Sequence, residues 1–345
     1  MIKDKAEKIM QKINITSIFQ YIALLLLIGN MSYTAQLHAS TSPKIVATTK
    51  PLHSIASIVL DGIAKPTLLV SGEVDPHHFH LRPSHMKLLK NADIVVFLGG
   101  DLESYIPDAL DAIKLDSSKQ LEMISLEKMI QLPYRKEASN HKTHEDSHHG
   151  HGHHGHGHHG HGHHSDKNSK QSNIDPHFWL NTENARTMAQ AMAQKFSDML
   201  PEHRKKIEDN INLFYKEINK LDEEIKLKLQ EVAGSPTGYI TYHDAYYYFE
   251  EQFSIQGYSG SIVSAATHTT SAKRVRNLQE KIKEGTVQCI LVEKAGYKKI
   301  ANLFPEQENL RHVTIDPAGI SLSEGKSLYY KLIEQMRDGF INCLQ

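Results

Sequence analysis

The chain has 345 residues, a formal net charge of −1 and 39% hydrophobic residues. That length allows two domains or one large one, and the apolar content suffices for a packed core. The 39 basic and 40 acidic residues are scattered, which argues against nucleic acid or an anionic membrane as a partner.

Residues 1–39 read as a leader. Lys3, Lys5, Lys8 and Lys12 form a basic head, residues 18–31 (IFQYIALLLLIGNM) an apolar core, and Leu37 and Ala39 suit the −3 and −1 positions of a signal-peptidase site. The apolar run is short for a membrane anchor, the competing reading. Cleavage near Ala39 would place the mature chain in an oxidising compartment. There Cys289 and Cys343 make an even pair. A bridge would tie the C-terminal tail to a strand and contribute roughly 4 kcal/mol. Two buried thiols, or two thiols of a metal site, are the alternatives.

After the leader, residues 44–50 (KIVATTK) are a short β-rich run, and PLHSIASIVLDG follows at helical spacing. Residues 67–70 precede a turn-rich segment, SHMKLLKNA reads as a helix, and residues 92–100 (ADIVVFLGG) form an apolar strand ending in glycines. ESYIPDALDAI is again helical. This βα alternation predicts a mostly parallel sheet covered by helices.

Residues 131–173 carry no core pattern and are expected to form a disordered, histidine-rich surface insertion, its low-complexity part spanning residues 135–173. It holds His141, His144, His148, His149, His151, His153, His154, His156, His158, His159, His161, His163 and His164, thirteen of the 24 histidines. Such a run suits a flexible, weaker metal collector, because its imidazoles are mostly neutral at pH 7 and charge below about pH 6. A composition-drifted linker with incidental metal affinity is the plainer alternative.

Residues 182–200 predict a helix capped by Asn181 or Thr182, with Glu183 in its first turn. Pro201 interrupts it. Residues 202–232 form a second helix with Ile207, Ile211, Phe214, Ile218, Leu221, Ile225 and Leu229 on one stripe. Its length of roughly 45 Å suits either an ordinary packing helix or a strut between two lobes. AGSPTG ends it, and βα alternation restarts: a strand at 238–243, a helical AYYYFEEQF, a Ser/Thr loop to Thr270, a helix at 271–283, strands at 287–293 and 311–316 separated by KKIANLF, and a last helix at 324–337. The expectation is two α/β units around a helical linker.

Three histidines stand apart from the run. His77 follows Asp75-Pro76, His177 follows Asp175-Pro176, and His243 ends the strand GYITYH; Asp316 ends RHVTID. Each falls at the carboxyl end of a strand or in an Asp-Pro turn, the rim at which open α/β sheets bind ligands. Three imidazoles and a carboxylate suit four-coordinate Zn²⁺. A turn or capping role is the alternative for any one of these histidines. Glu73, His78 and His80 are candidate auxiliary ligands, and Asp244, Asp175 and Glu73 candidate acceptors behind the ligand rings.

DPHHFHLRPS at 75–84, DPHFWLN at 175–181, YHDAYYYFE at 242–250 and TIDPAG at 314–319 together resemble the periplasmic zinc-binding proteins of zinc-uptake ABC transporters. These are the ZnuA-like members of the metal-binding cluster of solute-binding proteins. The resemblance covers about residues 44–344. It implies that His77, His177 and His243 supply the imidazoles and Asp316 the carboxylate. His243, where manganese and iron binders of the family generally carry Glu, supports zinc. It also implies a Cys289–Cys343 disulfide and an α/β fold of two Rossmann-like lobes with mostly parallel sheets, joined by one long rigid helix, with the metal site in the cleft. The domains would be a signal peptide (1–39), an N-terminal lobe (40–201), the linking helix (202–232) and a C-terminal lobe (233–345). EKAGYKK departs from the EPQF-like sequence of many relatives.

The implied role is capture of Zn²⁺ in the periplasm by a monomer and delivery to an inner-membrane permease with its ATPase; other periplasmic zinc carriers are further candidate partners. A periplasmic zinc store or zinc-dependent adhesin is the alternative. A zinc hydrolase is disfavoured because no HExxH is present and no convincing general base stands beside the set, and the lack of a Walker motif argues against ATP hydrolysis.

Overall fold

The structure, a computed structural model, describes residues 42–72, 74, 79–100, 102–135, 173–304 and 310–345. The leader, Glu73, His77, His78 and the histidine run lie outside them. Two parallel sheets organise the chain. The first contains β1 (Ile45–Ala47), β2 (Thr67–Leu68), β3 (Ile94–Phe97) and β4 (Gln120–Glu122) in the order β2-β1-β3-β4. Val46 pairs with both Thr67 and Val95, and Val96 with Leu121. Every residue of β1 and β3 is buried, as expected of parallel strands covered on both faces. The intervening helices are α1 (Lys50–Val59), α2 (Pro83–Lys90) and α3 (Tyr105–Ala112). Prolines in the first turns of α1 and α2 cost no hydrogen bond there and preset the backbone.

Beyond the insertion come α4 (Thr182–Met199) and α5 (Arg204–Gln230). Asn181 caps α4, its side chain accepting from the amides of Glu183 and Asn184. The 27 residues of α5 span about 40 Å. All seven apolar positions of its predicted stripe are buried. The helix packs against α1, α4 and the last helix, α9 (Leu328–Leu344), which also contacts α1. One apolar cluster therefore runs through both lobes, including Leu52, Phe196, Phe214, Ile218, Tyr329 and Phe340.

The second sheet contains β5 (Gly238–His243), β6 (Tyr258–Val263), β7 (Val287–Val292) and β8 (Arg311–Thr314) in the order β6-β5-β7-β8. Helices α6 (Tyr247–Phe253), α7 (Ala272–Lys283) and α8 (Tyr297–Leu303) connect it. Its strand order repeats that of the first sheet, although the halves are not obvious repeats in sequence. Residues 43–345 form one compact unit.

Four expectations are corrected. A short strand, β4, follows α3; its three residues are too few to carry an alternating pattern. β6 lies inside the segment read as a Ser/Thr loop. Its register with β5 shifts between Tyr239 and Thr241, and Gly260 there has φ +139°, so a bulge breaks the alternation that would mark a strand. The last helix begins at Leu328 instead of Glu324 and continues to Leu344. Ser54 of α1 sets its start, accepting from the Tyr329 amide at 3.0 Å and donating to Gly325 O at 2.7 Å. Cys343 is bonded to Cys289 of β7, which ties down its end. Finally, residues 131–135, expected within the insertion, are tied to the segment that returns from it: Pro133 forms an antiparallel bridge with Ile174.

Candidate metal centre

His177 is placed by an Asp-Pro turn. Oδ1 of Asp175 accepts from the His177 amide at 2.9 Å and lies 2.7 Å from its Nδ1. With Nδ1–H donating to that carboxylate, Nε2 carries the lone pair a metal requires. The ring is 1% exposed. The 3₁₀ turn Phe178–Leu180 follows, all three residues buried. Its Trp179 indole donates to Pro317 O at 2.8 Å, so the His177 segment of the N-terminal lobe is bonded to the Asp316 loop of the C-terminal lobe.

His243 closes β5. Its ring stands edge-on to that of His177, with centroids 4.9 Å apart. Two of the three solitary histidines, from opposite lobes, are thus brought together. Its Nδ1 is 3.9 Å from Oε1 of Glu293, which accepts from the Tyr246 hydroxyl at 2.7 Å. The His268 ring lies further out, 6.1 Å from His243. Asp244, the next residue, is buried; burial pushes its carboxyl up, while Arg135 pulls it back down.

Asp316 is held by its own loop. Oδ1 accepts from the Ile320 amide at 2.9 Å, and Oδ2 from the amide and hydroxyl of Ser321, both at 2.7 Å. Lys50 of α1 fastens that loop from the other lobe, donating to Ile320 O at 2.6 Å and Leu322 O at 2.9 Å. A carboxylate offers about four acceptor directions, so three such bonds leave it one for a cation.

His80 is exposed. His85 of the same histidine-rich segment is engaged at the start of α2, where its Nδ1 accepts from the Arg82 amide at 3.0 Å. Among the described residues no three His, Cys, Asp or Glu side chains are grouped to hold a metal ion; His77, which would complete the set, lies outside them, as do His78 and Glu73. Sequence reasoning missed Arg135, which lies in a stretch with no core pattern, and Glu293 and Tyr246, whose pairing across 47 residues has no local signature.

The family model described as "Zinc-uptake complex component A periplasmic" matches residues 45–343. The chain belongs to this family. It is 30% identical over 312 residues to the high-affinity zinc uptake system protein ZnuA of Brucella abortus, covering 87% of this chain and 91% of that one. Its fold is similar to a solved ZnuA structure (TM-score 0.64, 17% identity, 86% of this chain and 99% of that one). It is similar also to the solute-binding protein FpvC of Pseudomonas aeruginosa in complex with Mn²⁺ (TM-score 0.68, 15% identity, 88% and 99%). Members of the family are periplasmic zinc-uptake components, so the chain is a carrier and not an enzyme, and its partners are a membrane permease and its ATPase.

Proposed function

We propose that His77, His177, His243 and Asp316 together hold the Zn²⁺ that this periplasmic component captures for ABC-type import. The observation that carries the reading is the edge-on approach of His177 and His243 from opposite lobes, at 4.9 Å between ring centroids. The Asp175 carboxylate on Nδ1 of His177 supports it, because a ligand imidazole is oriented by an acceptor on its other nitrogen. Three neutral imidazoles and one carboxylate suit tetrahedral zinc. Metal binding competes with protons for such ligands, so affinity falls as the pH is lowered. Glu73, His78 and His80 are auxiliary ligands in this reading, and the thirteen histidines of residues 141–164 are a weaker collecting site.

The protein acts as a monomer that hands its ion to the permease, and movement of the C-terminal lobe on docking withdraws His243 and Asp316 from the ion. Chelator competition on the mature chain tests the ligand set. His77→Ala, His177→Ala and His243→Ala should each weaken zinc binding by about a hundredfold or more, and Asp316→Asn by about tenfold. Parental affinity in His177→Ala or His243→Ala would sink the assignment.

A further inference from the structure

The segment 131–135 leaves the first lobe and is stitched to the segment that returns to it. Asp175 N donates to Leu132 O at 2.8 Å and Tyr134 N to Asn173 O at 3.2 Å, alongside the Pro133–Ile174 bridge. The same segment bonds to the other lobe. Leu132 N donates to the Tyr248 hydroxyl at 2.8 Å. The guanidinium of Arg135 sits 4.2 Å from the ring centre of Tyr247 and 3.9 Å from that of Tyr258. It pairs with Glu250 and lies 3.9 Å from the Asp244 carboxylate. The Arg135 side chain is 13% exposed, and those of Asp244 and Glu250 are 7% and 4% exposed.

A planar cation held between two aromatic faces and two buried carboxylates is fixed in position and orientation. Removing it would leave those carboxylates buried without their cation. Its location gives this consequence for the site. Asp244 is covalently next to His243, and Asp175, bonded to the same strand at Leu132, holds His177.

We propose that Arg135 is a positioning residue for the bound zinc: it clasps the strand at residues 131–135 to the C-terminal lobe and so fixes the separation of the segments carrying His177 and His243. Departure of Arg135 from the Tyr247–Tyr258 cage is the event that lets the two segments part and the ion leave. This rests on the ligand reading above, which the His177→Ala titration tests separately.

The test uses the mature full chain carrying Arg135→Gln together with Glu250→Gln, so that no carboxylate at 250 is left buried and unpaired. Three quantities are read: zinc dissociation into excess chelator, the visible spectrum of the Co²⁺ form, and the melting temperature of the metal-free protein. The proposal predicts dissociation about tenfold or more faster and an altered Co²⁺ spectrum in both this double variant and the charge-conserving Tyr247→Leu. Melting should be near-parental in Tyr247→Leu and lower in the double variant, where Asp244 stays buried without its cation; Arg135→Lys is intermediate. Tyr247→Leu, which keeps every charge and removes one wall of the cage, should also speed release, and it carries the test if the double variant does not fold. A lower melting temperature with parental release rate and Co²⁺ spectrum, in either variant, would show a role in stability alone and overturn the proposal.

Discussion

At the scale of single residues, the structure brings the rings of His177 and His243 to 4.9 Å from each other. His177 and His243 could be picked out because each follows an Asp-Pro turn or ends a strand, and both reach the rim between lobes. Glu103 had no such signal. It is fully buried beyond β3, where it accepts from the Leu98 amide at 2.5 Å. Burial pushes its carboxyl up to about 7, against the opposing pull of the Leu98 amide and of the nearby polar groups of Thr48 and Gly99. The folded chain therefore keeps a proton that the unfolded chain releases near its ordinary value of 4.5. Stability falls as pH rises through the window from that value to about 7, by roughly 3 kcal/mol in full. Glu103→Gln abolishes this titration. Urea denaturation at pH 5 and pH 8 should show the variant gaining on the parent at the higher pH; a difference that stays flat would rule out the linkage.

At the scale of elements, periodicity located what is long. α5 announced itself through seven apolar positions spaced by three or four, and β3 through a continuous apolar run. What the sequence concealed depends on contacts across the fold. The start of α9 is set by a serine far away in α1, and β6 is masked by its bulge. The disulfide belongs to this scale. Cys289 and Cys343 are separated by 54 residues, and linking them removes loop-closure entropy from the unfolded chain. Replacing both by alanine should cost about 2–5 kcal/mol in denaturant unfolding and leave the zinc stoichiometry unchanged. Loss of the tight site with the bridge would mean that the disulfide shapes the metal centre directly.

At the scale of the molecule, two sheets of the same strand order share one apolar cluster that includes α5. That continuity limits how far the lobes can part, since a hinge would have to break packing along the whole helix. Contacts bridging the cleft at Lys50, Trp179 and Arg135 add to this restraint. Release by local rearrangement of the C-terminal lobe fits such a body better than wide opening. The fold class and the linking helix were legible in βα alternation. The coupling between the root of the insertion and the metal centre was not, because residues 131–135 have no periodicity and their partners in the other lobe lie more than a hundred positions along the chain.

In the proposed ligand set, specific zinc capture rests on the solitary histidines and Asp316 and not on the histidine run. Zinc titration of the mature protein with and without residues 141–164 tests it most directly. One tight site of equal affinity should persist in both forms, with several weaker sites present only in the longer one. Disappearance of the tight site on removing the run would contradict the account.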